Sequence, residues 1–179
     1  MSGPSTILRD TRGAAAAEMA LVLPFLIALL FGSMELGNYF WQEHVVIKQV
    51  RDGARFASRL PLSADYDCAD EVFAVDPDAD YTPEEQILNV TTTGRVDGSG
   101  PRRFPSDRAP CGSATQAVSI AMRCVAKDDY RGIYTGLDGD IPVVKVSAAL
   151  TYEPLFNLLG FDATGMCLVA ESEVAVAGL

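Results

Sequence analysis

The chain has 179 residues, a net charge of −10 and a pI near 4.4, with hydrophobic residues making up 49%. That length supports one modest domain plus an anchor. The acidic balance provides no basic footprint for phosphates, so nucleic acid is not an expected partner.

The first feature in chain order is a junction. Arg12-Gly13 is followed by Ala14-Ala-Ala-Ala-Glu18 and then by an apolar run. From Met19 to Met34 no residue is charged, and Leu36 to Trp41 is again mostly apolar. A spanning helix needs about 20 mostly apolar residues, so one single-pass segment is expected at about 19–41. Tyr39, Phe40 and Trp41 fall where an interfacial aromatic belt would lie. Arg9 and Arg12 precede the run and no Lys or Arg follows until Lys48. The positive-inside rule therefore puts the N-terminus in the cytoplasm and the rest outside it. A plain secretory signal peptide fits less well. Its apolar region is usually 7 to 15 residues long, and here Glu18 interrupts the start of a longer one. Glu18 is the more pointed observation, because a carboxylate near hydrocarbon is costly unless it finds a partner.

Helical patterning continues beyond the apolar run. Leu36, Phe40, Ile47, Val50, Ala54 and Ala57 recur at spacings of three and four, apart from the step at Glu43. Lys48, Asp52, Arg55 and Arg59 fall on the opposite side, with Asp52 and Arg55 close enough to pair weakly. Pro61 should stop the helix, because a residue before proline avoids the α region. One near-continuous helix is expected over 14–60, roughly 70 Å long at 1.5 Å per residue. Pro24 lies inside it and should kink or locally unwind it.

Residues 61–113 read as irregular, rich in Asp, Pro, Gly and Ser. One short helix stands out: Thr82 as N-cap, Pro83 at N1, Glu84 and Glu85 in the first turn, and Gly94 as the stop. Val96 to Gly112 reads as a loop. Asp76, Asp78 and Asp80 have the spacing that opens a calcium loop, but Tyr81 and Ile87 stand where Gly and Glu belong. A solvated acidic loop is the favoured reading.

The last third has strand character. Val118, Ile120 and Met122 alternate with Ser119, Ala121 and Arg123, and Val144 to Tyr152 alternates likewise. Leu168 to Val176 is a third run, with Glu171 and Glu173 on one face. Pro154 to Leu159 reads as a short helix or turn ending at Gly160, and Asp138-Gly-Asp140 as a turn. Period-two alternation argues a half-buried antiparallel sheet. The expected fold class is α+β. A long N-terminal helix, half membrane and half amphipathic, packs on a small antiparallel sheet of three or four strands.

Cys68, Cys111, Cys124 and Cys167 all lie in the expected head, which suits two disulfides in an exported domain. Three pairings are open; Cys68 with Cys111 and Cys124 with Cys167 is preferred. No metal site is expected, since no CxxC exists and the single histidine, His44, is on the long helix. That His lies far in sequence from any nucleophile, so neither catalysis nor a cofactor is expected.

Arg12-Gly13, Glu18, Leu23-Pro24, Phe31-Gly32, Glu35-Leu36-Gly37 and Arg51 to Ser58 together resemble the TadE-like family of tight-adherence pilus proteins. The resemblance implies a minor pilin or pseudopilin of a Flp-type type IVb pilus. Residues 1–13 would be a cytoplasmic leader, 14–60 the long helix and 61–179 the exported head. A prepilin peptidase would cut between Gly13 and Ala14, and Glu18 would become residue +5, serving assembly. Implied partners are that peptidase, other pilin and pseudopilin subunits, the assembly platform in the inner membrane and the lipid bilayer. Met19 departs from the Tyr usual after the +5 Glu in the major pilins, which suits a minor component. An uncleaved, anchored periplasmic scaffold of the same machine is the alternative.

Overall fold

Helix α1 (Thr11–Ala57) organises the molecule. The computed structural model describes residues 11–61, 66–70, 72–73, 77–101, 103, 110–126, 132–134, 139–157 and 165–177. Helix α1 has 47 residues and runs without interruption through Pro24, so local unwinding there is not realised. It ends three residues before the expected boundary. Tight turns then follow, in which the Arg59 and Leu60 amides donate to Phe56 and Ala57.

The head follows as β1 (Tyr66–Asp67), β2 (Val72–Phe73), α2 (Pro83–Thr93), β3 (Val118–Val125), β4 (Ile141–Thr151) and β5 (Cys167–Ala175), with one 3-10 turn at Gly132–Tyr134. Strands β1 and β2 form a two-residue antiparallel ladder. The main sheet is an antiparallel meander in the order β3-β4-β5. Its register sets Val118 against Ala148, Cys124 against Pro142 and Thr151 against Cys167.

Alternation works as expected. Val144, Val146, Ala148, Leu150 and Leu168 face inward and are buried. The outer face carries polar cross-strand pairs: the Ser119 and Ser147 hydroxyls at 2.9 Å, Arg123 with Glu173, and Lys145 with Glu171 at 2.8 Å. The Glu171 carboxylate, first as hydrogen-bond acceptor and then as charge, raises the Lys145 ammonium above its ordinary value.

The inner face rests on the C-terminal half of α1, where Val46, Val50, Ala54 and Ala57 join the core. Strand β5 runs parallel to α1, and the chain returns to the helix end, where the Ala177 amide donates to the Ser58 carbonyl. Helix α2 packs alongside. Thr82 caps it through the Glu85 amide, Glu85 reaches back to the Thr82 amide, and Gly94 ends it at φ 79°. The expected helix is thus found with both its caps. Gly53 lets α2 approach: a Cβ there would stand 1.9 Å from Thr91 Oγ1.

Two expectations are corrected. The buried stripe of α1 is not Leu36-Phe40; both are exposed, as Met34 is. The face turned to the head is Phe31, Glu35, Asn38 or Tyr39, Gln42, Val46, Val50, Ala54 and Ala57. Choosing apolar residues alone misplaced it, because Glu35, Asn38 and Gln42 are held by partners on the head. Asp52 also faces Arg103, at 3.9 Å, and not Arg55.

The disulfides are Cys68–Cys124 and Cys111–Cys167, each with Cα atoms 5.6 Å apart. The preferred pairing of Cys124 with Cys167 is excluded by register. Cys124 is level with Pro142 and Cys167 with Thr151. Nine strand residues separate those levels, about 30 Å at roughly 3.3 Å each, whereas a disulfide needs Cα atoms within about 7 Å. Cys111 instead reaches the Cys167 end because its amide bonds the Ala149 carbonyl and Pro110 bridges Leu150.

Candidate functional site

The residues singled out for processing and assembly lie together at the start of α1. Gly13, Ala14 and Glu18 are all exposed. The first four amides of a helix have no intrahelical acceptor, so the Gly13–Ala14 peptide sits in the part of α1 that opens most easily. A Cβ at Gly13 would meet nothing within 4 Å. Packing therefore does not account for glycine there, in contrast with Gly53. Glu18 follows Ala14 by one turn, about 6 Å along the axis. Among the described residues it makes no hydrogen bond or ion pair.

Beyond it the helix is apolar and uncovered. Met19, Leu21, Leu23, Phe25, Leu26, Leu29 and Leu30 are all more than half exposed. The segment is long and apolar enough to cross a membrane. In water such a surface would be a large unfavourable exposure, so it needs lipid or other helices around it.

The second acid of this helix is treated differently. Glu35 accepts from the Tyr152 hydroxyl and, at 3.1 Å, from the Leu155 amide. Asn38 Nδ2 donates to the Tyr152 oxygen at 3.0 Å, and Gln42 Nε2 to the Glu153 carbonyl at 3.1 Å. Tyr39 meets Tyr152 edge-on at 5.2 Å, and Phe31 meets Phe156 at 4.9 Å. These contacts clasp residues 152–156 of the head against 31–42 of the helix. Sequence reasoning missed this clasp. The signal was present in Glu35, Asn38 and Gln42, three polar residues at helical spacing on one face of an otherwise apolar stretch.

Residues 13–55 match the family model described as TadE-like protein. Over this segment, less than half of the chain, the sequence is similar to TadE-like proteins. The match begins at Gly13 and ends at Arg55, so it takes in the exposed start, the apolar run and most of the head-binding face. A TadE-like segment points to a Tad pilus-associated protein. Neither curated proteins nor solved structures give a significant match.

Other sequence candidates stay apart from this region. His44 lies on an exposed side of α1, where it lines a shallow groove of about 350 Å³ with Lys48, Arg51, Asp52 and Arg55. Asp78 and Asp80 are exposed, while Asp76 and Asp138 lie outside the described residues. Among the described residues no cluster of three metal-binding side chains occurs. The Pro154 turn is present at residues 155–157, and its continuation to Gly160 lies outside them.

Proposed function

We propose that the protein is a minor pilin or pseudopilin of a Tad, Flp-type type IV pilus. A prepilin peptidase matures it by cutting between Gly13 and Ala14, and it acts in pilus assembly, adhesion or secretion. The head lies on the periplasmic side of the inner membrane and leaves the cell with the filament.

The observation that carries this reading is the contrast between the two acids of α1 within the TadE-like segment. Glu35 is satisfied by its own head, whereas Glu18 has no partner among the described residues and stands at the edge of an uncovered apolar helix. A carboxylate in that position is costly in lipid unless something outside the chain compensates it. Cleavage after Gly13 frees an α-amino group on Ala14. On a neighbouring subunit that cation can pair with Glu18 and satisfy both groups at once. Gly13 suits the peptidase because a residue without a side chain allows close approach to the backbone.

The N-terminal mass of the protein, expressed with and without its cognate peptidase, tests the reading. A peptidase-dependent start at Ala14 is expected. An unprocessed start, with the peptidase active on a control pilin, would replace it with the anchored scaffold.

A further inference from the structure

The clasp fixes how far the head stands from the membrane. Phe156 touches Phe31, so the Pro154–Asn157 turn reaches down to the level of residue 31 on α1. Below that level, among the described residues, 14–30 is free of the head. Seventeen residues at 1.5 Å make about 26 Å, less than the roughly 30 Å of a bilayer's hydrocarbon. A helix that crosses from Ala14 therefore needs residues up to about Met34 inside the hydrocarbon. Tilting the helix raises that requirement. Phe31 then lies about 5 Å below the hydrocarbon edge, and Phe156 lies there with it.

The chemistry of the turn agrees. Leu155 is 56% exposed, and Met34 and Leu36 are exposed at the same height on α1. These residues continue the uncovered surface of 19–30. Several polar groups at or just above that depth are answered within the protein. The Leu155 amide donates to Glu35, and the Glu35 carboxylate also receives the Tyr152 hydroxyl. The Glu153 carbonyl accepts from Asn38 and Gln42. Backbone can enter hydrocarbon only when its polar groups are paired in this way.

We propose that the Leu155–Phe156 turn is a second membrane contact, entering the acyl region of the outer leaflet beside Phe31. Its partner is the lipid itself, at the 5–10 Å depth typical of interfacial apolar elements. The head is thus seated on the bilayer at a defined height. This inference rests on the reading that α1 spans the membrane.

The chain has one tryptophan, Trp41, which makes a clean optical test possible. In full-length protein carrying Trp41→Phe, a single tryptophan is placed at Leu155, at Leu23 or at Leu88. Position 23 reports the span, and position 88, on α2, reports the far side of the head. Each protein is reconstituted in phosphatidylcholine vesicles with bromine at shallow acyl carbons, and retention of both disulfides confirms folding. The Leu155→Trp protein should show blue-shifted emission and lose most of its intensity to the brominated lipid, while the Leu88→Trp protein loses none. Should Leu155→Trp disturb folding, Asn157→Trp, also at an exposed site, serves instead. Quenching at 23 but not at 155, with 155 open to aqueous acrylamide, would overturn the membrane contact and leave the span intact. Such a result would mean that the bilayer thins to match the shorter helix. Absence of quenching at both 23 and 155 would overturn the span and the contact together.

Discussion

Glu35 and Tyr152 are 117 positions apart in sequence, yet the tyrosine hydroxyl donates to the carboxylate of the helix. Hydrogen bonds to a charged group are worth more than neutral ones, and losing one partner leaves the other exposed to its desolvation cost. Tyr152→Phe should therefore destabilise the seating of the head on α1 by about 1–3 kcal/mol. Thermal melts in detergent micelles, compared with Glu35→Gln and the double variant, check this. The two effects should not add, because both changes break the same contact.

Glu18→Ala should leave membrane insertion unchanged and reduce incorporation into pili. The exposed carboxylate has no partner among the described residues, so its loss should not shift the melting of the head. Fractionation of membranes against sheared filaments separates the two outcomes. Full incorporation of the variant would remove Glu18 from assembly.

Proteolytic mapping without reductant should recover peptides linking Cys68 to Cys124 and Cys111 to Cys167. Each bridge spans 56 residues. Removing either as a pair of serines should cost about 2–5 kcal/mol, as expected for bridges closing long loops in small exported domains.

Gly53→Ala places a methyl 1.9 Å from Thr91 Oγ1, which is too close for side-chain adjustment to absorb. A loss of about 1–3 kcal/mol is expected from forcing α1 and α2 apart. Adding Thr91→Ala should recover part of it, because the hydroxyl is removed while the Thr91 Cβ position, at 3.1 Å, remains crowded. Chemical denaturation of the three variants measures the recovery.

Alkaline pH should weaken the outer face of the sheet. Glu171 raises the Lys145 pKa above 10.5, so the pair's stabilisation is complete below that value. It is lost as pH climbs through the higher folded-state value. The melting temperature of the parent should exceed that of Glu171→Gln slightly at neutral pH. Above pH 10.5 the difference should fade.

The sheet was legible because each strand alternates cleanly: Val144, Val146, Ala148 and Leu150 face in, and Lys145 and Ser147 face out. Helix α2 was legible because Thr82, Pro83, Glu85 and Gly94 are local signals whose chemistry acts within one turn. The head-facing side of α1 was misread near residues 35–42, where long-range hydrogen bonds, and not apolarity, decide which face is covered. The disulfide pairing failed for a related reason. Spacing along the chain says nothing of strand register, and register alone puts Cys124 and Cys167 at opposite ends of the sheet. Glu18 draws attention in the sequence because the cost of a lone acid beside hydrocarbon needs no tertiary information, and its role in assembly stays a proposal.

The two disulfides interlock: the loop closed by Cys68 and Cys124 overlaps the loop closed by Cys111 and Cys167. This overlap sets how far the head can be drawn out under load. Followed through the sulfurs, the covalent route from residue 68 to residue 167 crosses to 124, returns to 111 and crosses again. It holds about 13 residues of backbone in place of about 99, so a fully pulled chain measures at most roughly 45 Å there and not about 330 Å. A head bearing load along α1 could lose its fold and still not pay out its length.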